Sequence, residues 1–471
     1  MNYASARLLT LAAVAATGLA ACDDINTDTP LAPTSAPSLS AGTTSPIDGS
    51  YLVMFKGNGV PAGFASKVAS LGGTVVFAHG GAGIGAVAGL TPEAAAQLGA
   101  SSGVAAVEAD DMTVLSPVAG EVEQGVESPA APATAFFFAR QWHMRAIGAD
   151  LAWAAGRRGS PNVKVAILDT GLGYTHPDLA GRVDLAASKS FVPSDDALVA
   201  AYFPGAHPIA DLHYHGTHVG ATVSSNAVNA AGVTSGTTLI GVKVCNVNGS
   251  CPTSGVLAGV VYAADAGAHV ANLSVGGAFN RRDASAAGGN GPSFIAIIGR
   301  AFNYAHKNGT QVVVSAGNDA LDMDHDGNGY KAYCSAPHVV CVSATGPTAS
   351  AGTNGPWTNV DALASYSNYG RSSVTVAAPG GNFSPVYAAC STFSLQIPVC
   401  RTGAYIVGIN GTSMASPHAA GTAALIAEDV GRNPSQIRAR LQGTADDLGQ
   451  SGTDPAYGKG RINVARAVGV I

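Results

Sequence analysis

The chain has 471 residues, enough for more than one domain and at least one large core. Only 11% of them are charged, against roughly 25% in ordinary soluble domains. With a net charge of −6 and no basic run, nothing points to a nucleic-acid partner.

At the N-terminus, Arg7 precedes an apolar run from Leu8 to Leu19. That run is too short to span a bilayer and reads as an export signal over residues 1–21. It ends in Leu19-Ala20-Ala21-Cys22, which resembles the lipobox of bacterial lipoproteins and implies a lipid anchor on Cys22. Seven cysteines are present, and six fall in close pairs: Cys245/Cys251, Cys334/Cys341 and Cys390/Cys400. Their connectivity stays open at this point, but three disulfides suit an exported, oxidising setting and leave Cys22 over.

Residues 22–49, rich in Thr, Ser, Pro and Ala, read as a flexible tether. Order is expected from Tyr51, where Tyr51, Val53 and Phe55 alternate as on a half-buried strand. A helix follows over about 61–71, then strands at 74–79 and 84–90. A second helix begins at Pro92, with Thr91 as its cap, and a last strand covers 104–109. That βαββαβ order over 50–116 predicts a small α+β ferredoxin-like domain. Residues 117–139 read as a linker.

From 140 to 471 apolar β-runs alternate with helical ones. The strands are expected at 163–168, 239–244, 269–275, 311–317 and 374–378. The helices fall around 215–225, 253–267 and 413–429. The pattern predicts an α/β domain with a mostly parallel central sheet covered on both faces, its chemistry at the strands' carboxyl ends.

Three stretches stand at such ends. Asp169 follows "VAIL" directly, a carboxylate at a strand mouth. Its Asp-Thr-Gly also suits an aspartic protease, but no second Asp-Thr-Gly or Asp-Ser-Gly is present to share a proton. "HYHGTHVG" offers His213, His215 and His218 as metal ligands, yet it lacks the glutamate of His-Glu-x-x-His and a third ligand by spacing. "NGTSMASPHAAG" places Ser413 near a helix start, where free N–H groups favour developing negative charge. Pro417 is expected within the first turn of that helix. His418, five residues on, points about 500° of helical rotation away, so a base for Ser413 must come from elsewhere.

The order Asp169, His215, Ser413 differs from the Ser…Asp…His order of α/β-hydrolases. With "VAILDTG", "HGTHVG" and "GTSMASPHAAG", residues 140–471 resemble the subtilisin-like serine peptidases, and residues 50–116 are similar to the inhibitor-type propeptide of that family. The resemblance implies Ser413 as nucleophile, His215 as base and Asp169 as its orienting carboxylate. It also implies Asn318 as a donor to the oxyanion, and Ser274, Val275, Gly276 and Gly317 along the substrate path. Maturation would cut within the 117–139 linker, the propeptide serving as an intramolecular inhibitor.

"DMDHDGNG" places Asp322, Asp324 and Asp326 like the first half of a calcium loop, though Tyr333 stands where a bidentate glutamate belongs. Asp178, in "HPDL", matches a calcium ligand of some relatives. The expectation is therefore an exported, monomeric serine endopeptidase acting on proteins or peptides. It needs no cofactor for its chemistry and has a candidate structural calcium. The rival is a catalytically silent envelope protein that uses the same fold for binding. Competent residues at all three triad positions and at Asn318 argue against it.

Overall fold

The computed structural model describes residues 45–115, 119–126, 128, 130–280, 291–327 and 329–471. The expected export segment, Cys22 and most of the tether lie outside those residues.

The N-terminal domain has the expected order. It comprises β1 (Ser45–Phe55), α1 (Phe64–Ser70), β2 (Thr74–His79), β3 (Ile84–Ala88), α2 (Pro92–Gly99) and β4 (Val104–Val114). The sheet runs β2-β3-β1-β4 and all its pairs are antiparallel. Thr91 caps α2 by accepting the Ala94 N–H at 3.2 Å, which satisfies one of the helix's free donors.

β1 starts at Ser45, so the last residues assigned to the tether are already strand. It is also buried on both faces rather than one. Val53 and Phe55 pack with Phe64, Val68 and Leu98 of the domain's own helices. Leu52, with Ile84 and Ala86, joins an apolar cluster of the larger body. A sheet this small hides its second face only against a partner, and the body supplies one.

In the body, a parallel sheet of seven strands runs β17-β14-β12-β10-β6-β8-β7. In chain order these are β6 (Lys164–Asp169), β7 (Lys189–Ser190), β8 (Thr238–Lys243), β10 (Val270–Leu273), β12 (Gln311–Ser315), β14 (Val340–Thr345) and β17 (Val376–Pro379). Five match expectation; β14 was hidden in a stretch noted for its cysteines, and β7 is two residues long.

The helices before the sheet's midpoint are α3 (Trp142–Ala146), α4 (Ala149–Ala154), α5 (Pro193–Tyr202), α6 (His215–Val223) and α7 (Thr253–Asp265). Beyond it come α8 (Pro292–Lys307), α9 (Thr412–Val430), α10 (Pro434–Gly443) and α11 (Val464–Ala467). One sheet face packs on α4, α6, α9, α10 and α11, the other on α7 and α8. None of the described helices is long and apolar enough to cross a membrane.

Smaller ladders decorate this frame. β11 (Gly277–Asn280) pairs β13 (Gly329–Ala332), and β15 (Ala349–Ser350) pairs β16 (Trp357–Thr358). β9 (Ser250–Pro252) of the body extends the N-terminal sheet by pairing β4, Val114 opposite Ser250. A three-stranded sheet joins β18 (Val386–Ala389), β19 (Tyr405–Ile409) and β5 (Ala119–Gln124). β5 lies inside the segment expected to be a linker. The cysteines pair as nearest neighbours: Cys245–Cys251, Cys334–Cys341 and Cys390–Cys400.

Two carboxylates of β4 seat the N-terminal domain on helix starts of the body. Asp110 accepts the Ser254 N–H at 3.0 Å at the head of α7. Glu108 bonds Ser293 and the Gly291 backbone at the head of α8. Burial pushes both carboxyls above their usual range, against these bonds. Arg300 of α8 reaches back to the carbonyls of Phe55 and Gly83 at 2.7 and 2.9 Å.

Candidate active site

Asp169 is the last residue of β6, where the sheet's carboxyl edge opens. Its Oδ1 accepts the Thr170 N–H at 2.8 Å and meets His215 Nδ1 at 2.8 Å. Both side chains are buried, at 0% and 1% exposure, so the contact is sheltered from solvent. A carboxylate on Nδ1 fixes the imidazole tautomer with its proton there, which leaves Nε2 as the basic atom.

His215 begins α6, and Gly216 must be a glycine for α6 to come this close. A Cβ there would stand 2.3 Å from the Gly171 carbonyl and 3.1 Å from Asp169 Oδ1. Asp211 completes the junction. Its Oδ1 accepts the Thr170 hydroxyl at 2.8 Å and the His213 N–H at 3.0 Å, while its Oδ2 accepts both the N–H and hydroxyl of Thr217. Thr170 Oγ1 in turn accepts the Gly216 N–H at 2.9 Å. One fully buried carboxylate thereby ties the end of β6 to the start of α6. Its sequence signal is slight, an aspartate four residues before His215.

Ser413 sits in the first turn of α9 and is partly exposed, unlike its buried neighbours Thr412 and Met414. Its hydroxyl donates to the Ser274 carbonyl at 3.2 Å. Pro417 lies beyond the first turn, contrary to expectation. It has no N–H for the Ser413 carbonyl four residues back, a loss that ordinarily breaks a helix. Ser274 Oγ supplies the missing donor at 2.9 Å and also contacts Ser416 Oγ at 2.8 Å. The Ser274 side chain thus repairs α9, while its backbone faces Ser413.

Asn318 Oδ1 accepts the N–H and the hydroxyl of Thr412 at 2.9 and 2.8 Å. With the oxygen so engaged, the Nδ2 amide is the group left to act as a donor. Gly317 before it adopts φ +102°, and a Cβ there would stand 2.4 Å from Asn368 Nδ2. Val275 is fully buried and Gly276 partly exposed. Residues 274–276 link β10 to β11.

The metal readings of the histidines fail on geometry. His218 Nε2 bonds the Val386 carbonyl at 3.0 Å, and His213 Nδ1 accepts the His215 N–H at 3.2 Å. Burial first, then His215, holds His213 down at about 3, so it stays neutral. His418 is a fully buried residue of α9 itself. Its Nδ1 donates to the Met414 carbonyl at 2.7 Å and its Nε2 meets His143 Nδ1 at 2.8 Å.

Two carboxylates of the acidic loop, Asp322 and Asp324, are engaged within the chain. Asp324 is taken up by the N–H groups of Arg371 and Ser372 and by the Ser372 hydroxyl. Asp322 accepts the Asp324 N–H and pairs with His325 at 2.8 Å. The Asp326 backbone carbonyl accepts the Gly329 N–H at 3.1 Å. Among the described residues no three His, Cys, Asp or Glu side chains converge as metal ligands. Asp178 receives the N–H groups of Val228, Asn229 and Ala230, donors where a cation would need oxygens.

The subtilase family profile matches residues 160–460. Thermitase of Thermoactinomyces vulgaris is 34% identical over 340 residues, 72% of this chain and 99% of that protein. A thermophilic serine proteinase of Bacillus sp. (strain AK1) is 35% identical over 68% of this chain, which spans only 64% of that relative. Among solved structures, the epidermin leader peptide processing serine protease of Staphylococcus aureus superposes with TM-score 0.68 at 23% identity. That match covers 89% of this chain and 98% of the other, a likeness of fold. Fervidolysin of Fervidobacterium pennivorans gives 0.65 at 25% identity, over 91% of this chain and 61% of its own. With the profile covering well over half its length, the chain belongs to the subtilase family.

Proposed function

We propose that this chain is an exported serine endopeptidase made as a precursor, with Ser413, His215 and Asp169 as its triad. The observation that carries the reading is the sheltered 2.8 Å contact of Asp169 with His215, together with a partly exposed serine at a helix start. A serine hydroxyl attacks a carbonyl only once a base takes its proton. In the described state the hydroxyl donates to the Ser274 carbonyl, and the reading requires it to turn to His215 Nε2 for attack. His215 takes the proton as Ser413 adds to the peptide carbonyl, then delivers it to the departing amine. Water repeats the sequence in reverse to release the acid. Asp169 holds the imidazole and stabilises its cation.

The tetrahedral oxyanion needs donors placed in advance. Asn318 Nδ2 and the Ser413 N–H at the α9 start are the two available, and the helix dipole adds to them. Substrate backbone would pair along 274–276 and past Gly317. No metal or cofactor enters the chemistry.

The N-terminal domain is read as the inhibitory propeptide, because β4 pairs with β9 of the body and the domain's sheet closes against the body's helices. Cleavage in the region after Leu115 would release it. Export and a lipid anchor on Cys22 rest on the sequence alone. If that anchor exists, the same cleavage would leave it on the propeptide and free the body. Incubation of matured protein with a casein-like substrate tests the enzyme reading: hydrolysis is expected, and its loss in Ser413→Ala. Equal activity in both proteins would refute it.

A further inference from the structure

At the amino edge of the parallel sheet, opposite the edge that carries Asp169, a pocket of ≈ 180 Å³ opens between α8, α10 and the turn before β14. His306 lines it from the last turn of α8, His338 from that turn, and Ser435, Arg438 and Gln442 from α10. The space exceeds the roughly 10–15 Å³ that one water needs. The His306 and His338 rings stack, with centroids 4.1 Å apart and planes 13° from parallel. His338 adopts φ +64°, a left-handed conformation that residues other than glycine seldom take. The buried Gln311 side chain holds it there, donating from Nε2 to the His338 carbonyl at 2.9 Å.

The charge around this pocket is one-sided. Arg438 is half-buried, and among the described residues its side chain makes no ion pair or hydrogen bond. Burial draws its guanidinium below the ordinary value, with no carboxylate to oppose it. His306 Nδ1 is buried without a hydrogen-bond partner among the described residues, and Nε2 lies 3.5 Å from Ser435 Oγ. Burial first, then His338 and Arg438, push the His306 imidazole below its usual range. Basic groups gathered without an acid are costly to hold together unless a negative group joins them. Arg438 would repel a divalent cation, and no three His, Cys, Asp or Glu side chains converge among the described residues. A guanidinium fork instead matches two oxygens of a tetrahedral oxyanion, and the Ser435 hydroxyl and Gln442 amide are further donors on the same wall.

We propose that this pocket binds a small free oxyanion of the phosphate or sulfate class between Arg438, His306 and His338. The site lies at the sheet edge away from Asp169 and Asn318, and it stands whether or not the chain is a peptidase. An ion taken up only by the folded body stabilises that body. Here it would act as a counter-ion that ties α8, α10 and the turn before β14 together.

The test uses the full chain carrying Ser413→Ala, so that self-digestion cannot interfere, with inorganic phosphate as the probe at constant ionic strength. Isothermal titration should show saturable binding at one site, half-complete at about 1 mM. Phosphate should also raise the thermal unfolding midpoint along the same saturation curve. Adding Arg438→Gln is expected to weaken binding roughly tenfold or more, since the bidentate donor is lost. His338→Asn removes the second imidazole while keeping a residue that tolerates the left-handed backbone, and should weaken binding about threefold or more. This exposed position also keeps the test open if Arg438→Gln fails to fold. Absence of saturable phosphate binding overturns the proposal. So does a midpoint shift of equal size in the parent and in both variants, which would be general salt stabilisation.

Discussion

The N-terminal domain and the peptidase body differ in how much of their stability is their own. The domain encloses nine buried apolar residues between sheet and helices, and gives its other sheet face to α7 and α8. The body covers its seven-stranded sheet on both faces with its own helices. Every group placed at the candidate site belongs to the body. A domain that leans on its neighbour can be discarded; one that carries its own core can remain and work. On the proposed reading, the contrast would let inhibition and catalysis share a chain and then separate.

The comparison is most strongly tested at the site. Ser413→Ala should abolish turnover, on the order of 10⁶-fold as for the same loss in subtilisin. Circular dichroism and urea midpoint should stay unchanged, since its hydroxyl is partly exposed. A large stability loss would mean that the site is part of the body's support. Asn318→Ala should lower kcat by roughly 10²–10³, the cost known for a subtilisin oxyanion donor, with KM nearly constant. A rise in KM alone would assign Asn318 to substrate binding.

At the interface, the double variant Glu108→Ala with Asp110→Ala should weaken retention of the cleaved N-terminal domain. Each lost helix cap contributes about 0.5–2 kcal/mol, so fivefold or more faster release is expected on size exclusion. Their pH dependence has a definite sign. Docking raises both carboxyls by burial, so the docked state holds more protons than the separated one. Retention should be complete in acid and should weaken as pH climbs through the raised values. Retention that strengthens with rising pH would contradict this.

The smallest effect is expected at α9. Burial keeps His418 at about 4 and His218 at about 3, and holds His143 well below its usual value. The unfolded chain takes up protons on these rings below about 6.5 while the body does not. Their contribution is intact above that pH and is lost as pH falls toward 4. His143→Gln should therefore flatten the fall of unfolding free energy by about one proton, ~1.4 kcal/mol per pH unit, over that window. Denaturant titrations at several pH values would show it.

Much of this was legible in the sequence because periodicity and strand-end position are local signals. The βαββαβ order, Thr91 as cap and Asp169 at a strand mouth follow from neighbours in the chain. So does the dismissal of His418, which follows from helical rotation alone. What was not legible depended on distant partners. β5 is a strand because β19 offers an edge, although nothing in Ala-Gly-Glu-Val-Glu-Gln alternates. Pro417 sits deep in α9 because Ser274, 143 residues earlier, replaces its missing donor. Asp324 of the acidic loop is held by Arg371 and Ser372, partners 47 and 48 residues further along the chain. β1 looked half-buried because the second face belongs to a different domain.

The central claim is that Ser413 is a nucleophile activated by the body once the N-terminal domain is gone. A fluorophosphonate probe with mass-spectrometric mapping of the adduct tests it most directly. The account predicts a single adduct on Ser413 in matured protein, suppressed in the intact precursor and absent from His215→Ala. Labelling that spares Ser413 in matured protein, or that persists undiminished without His215, would contradict it.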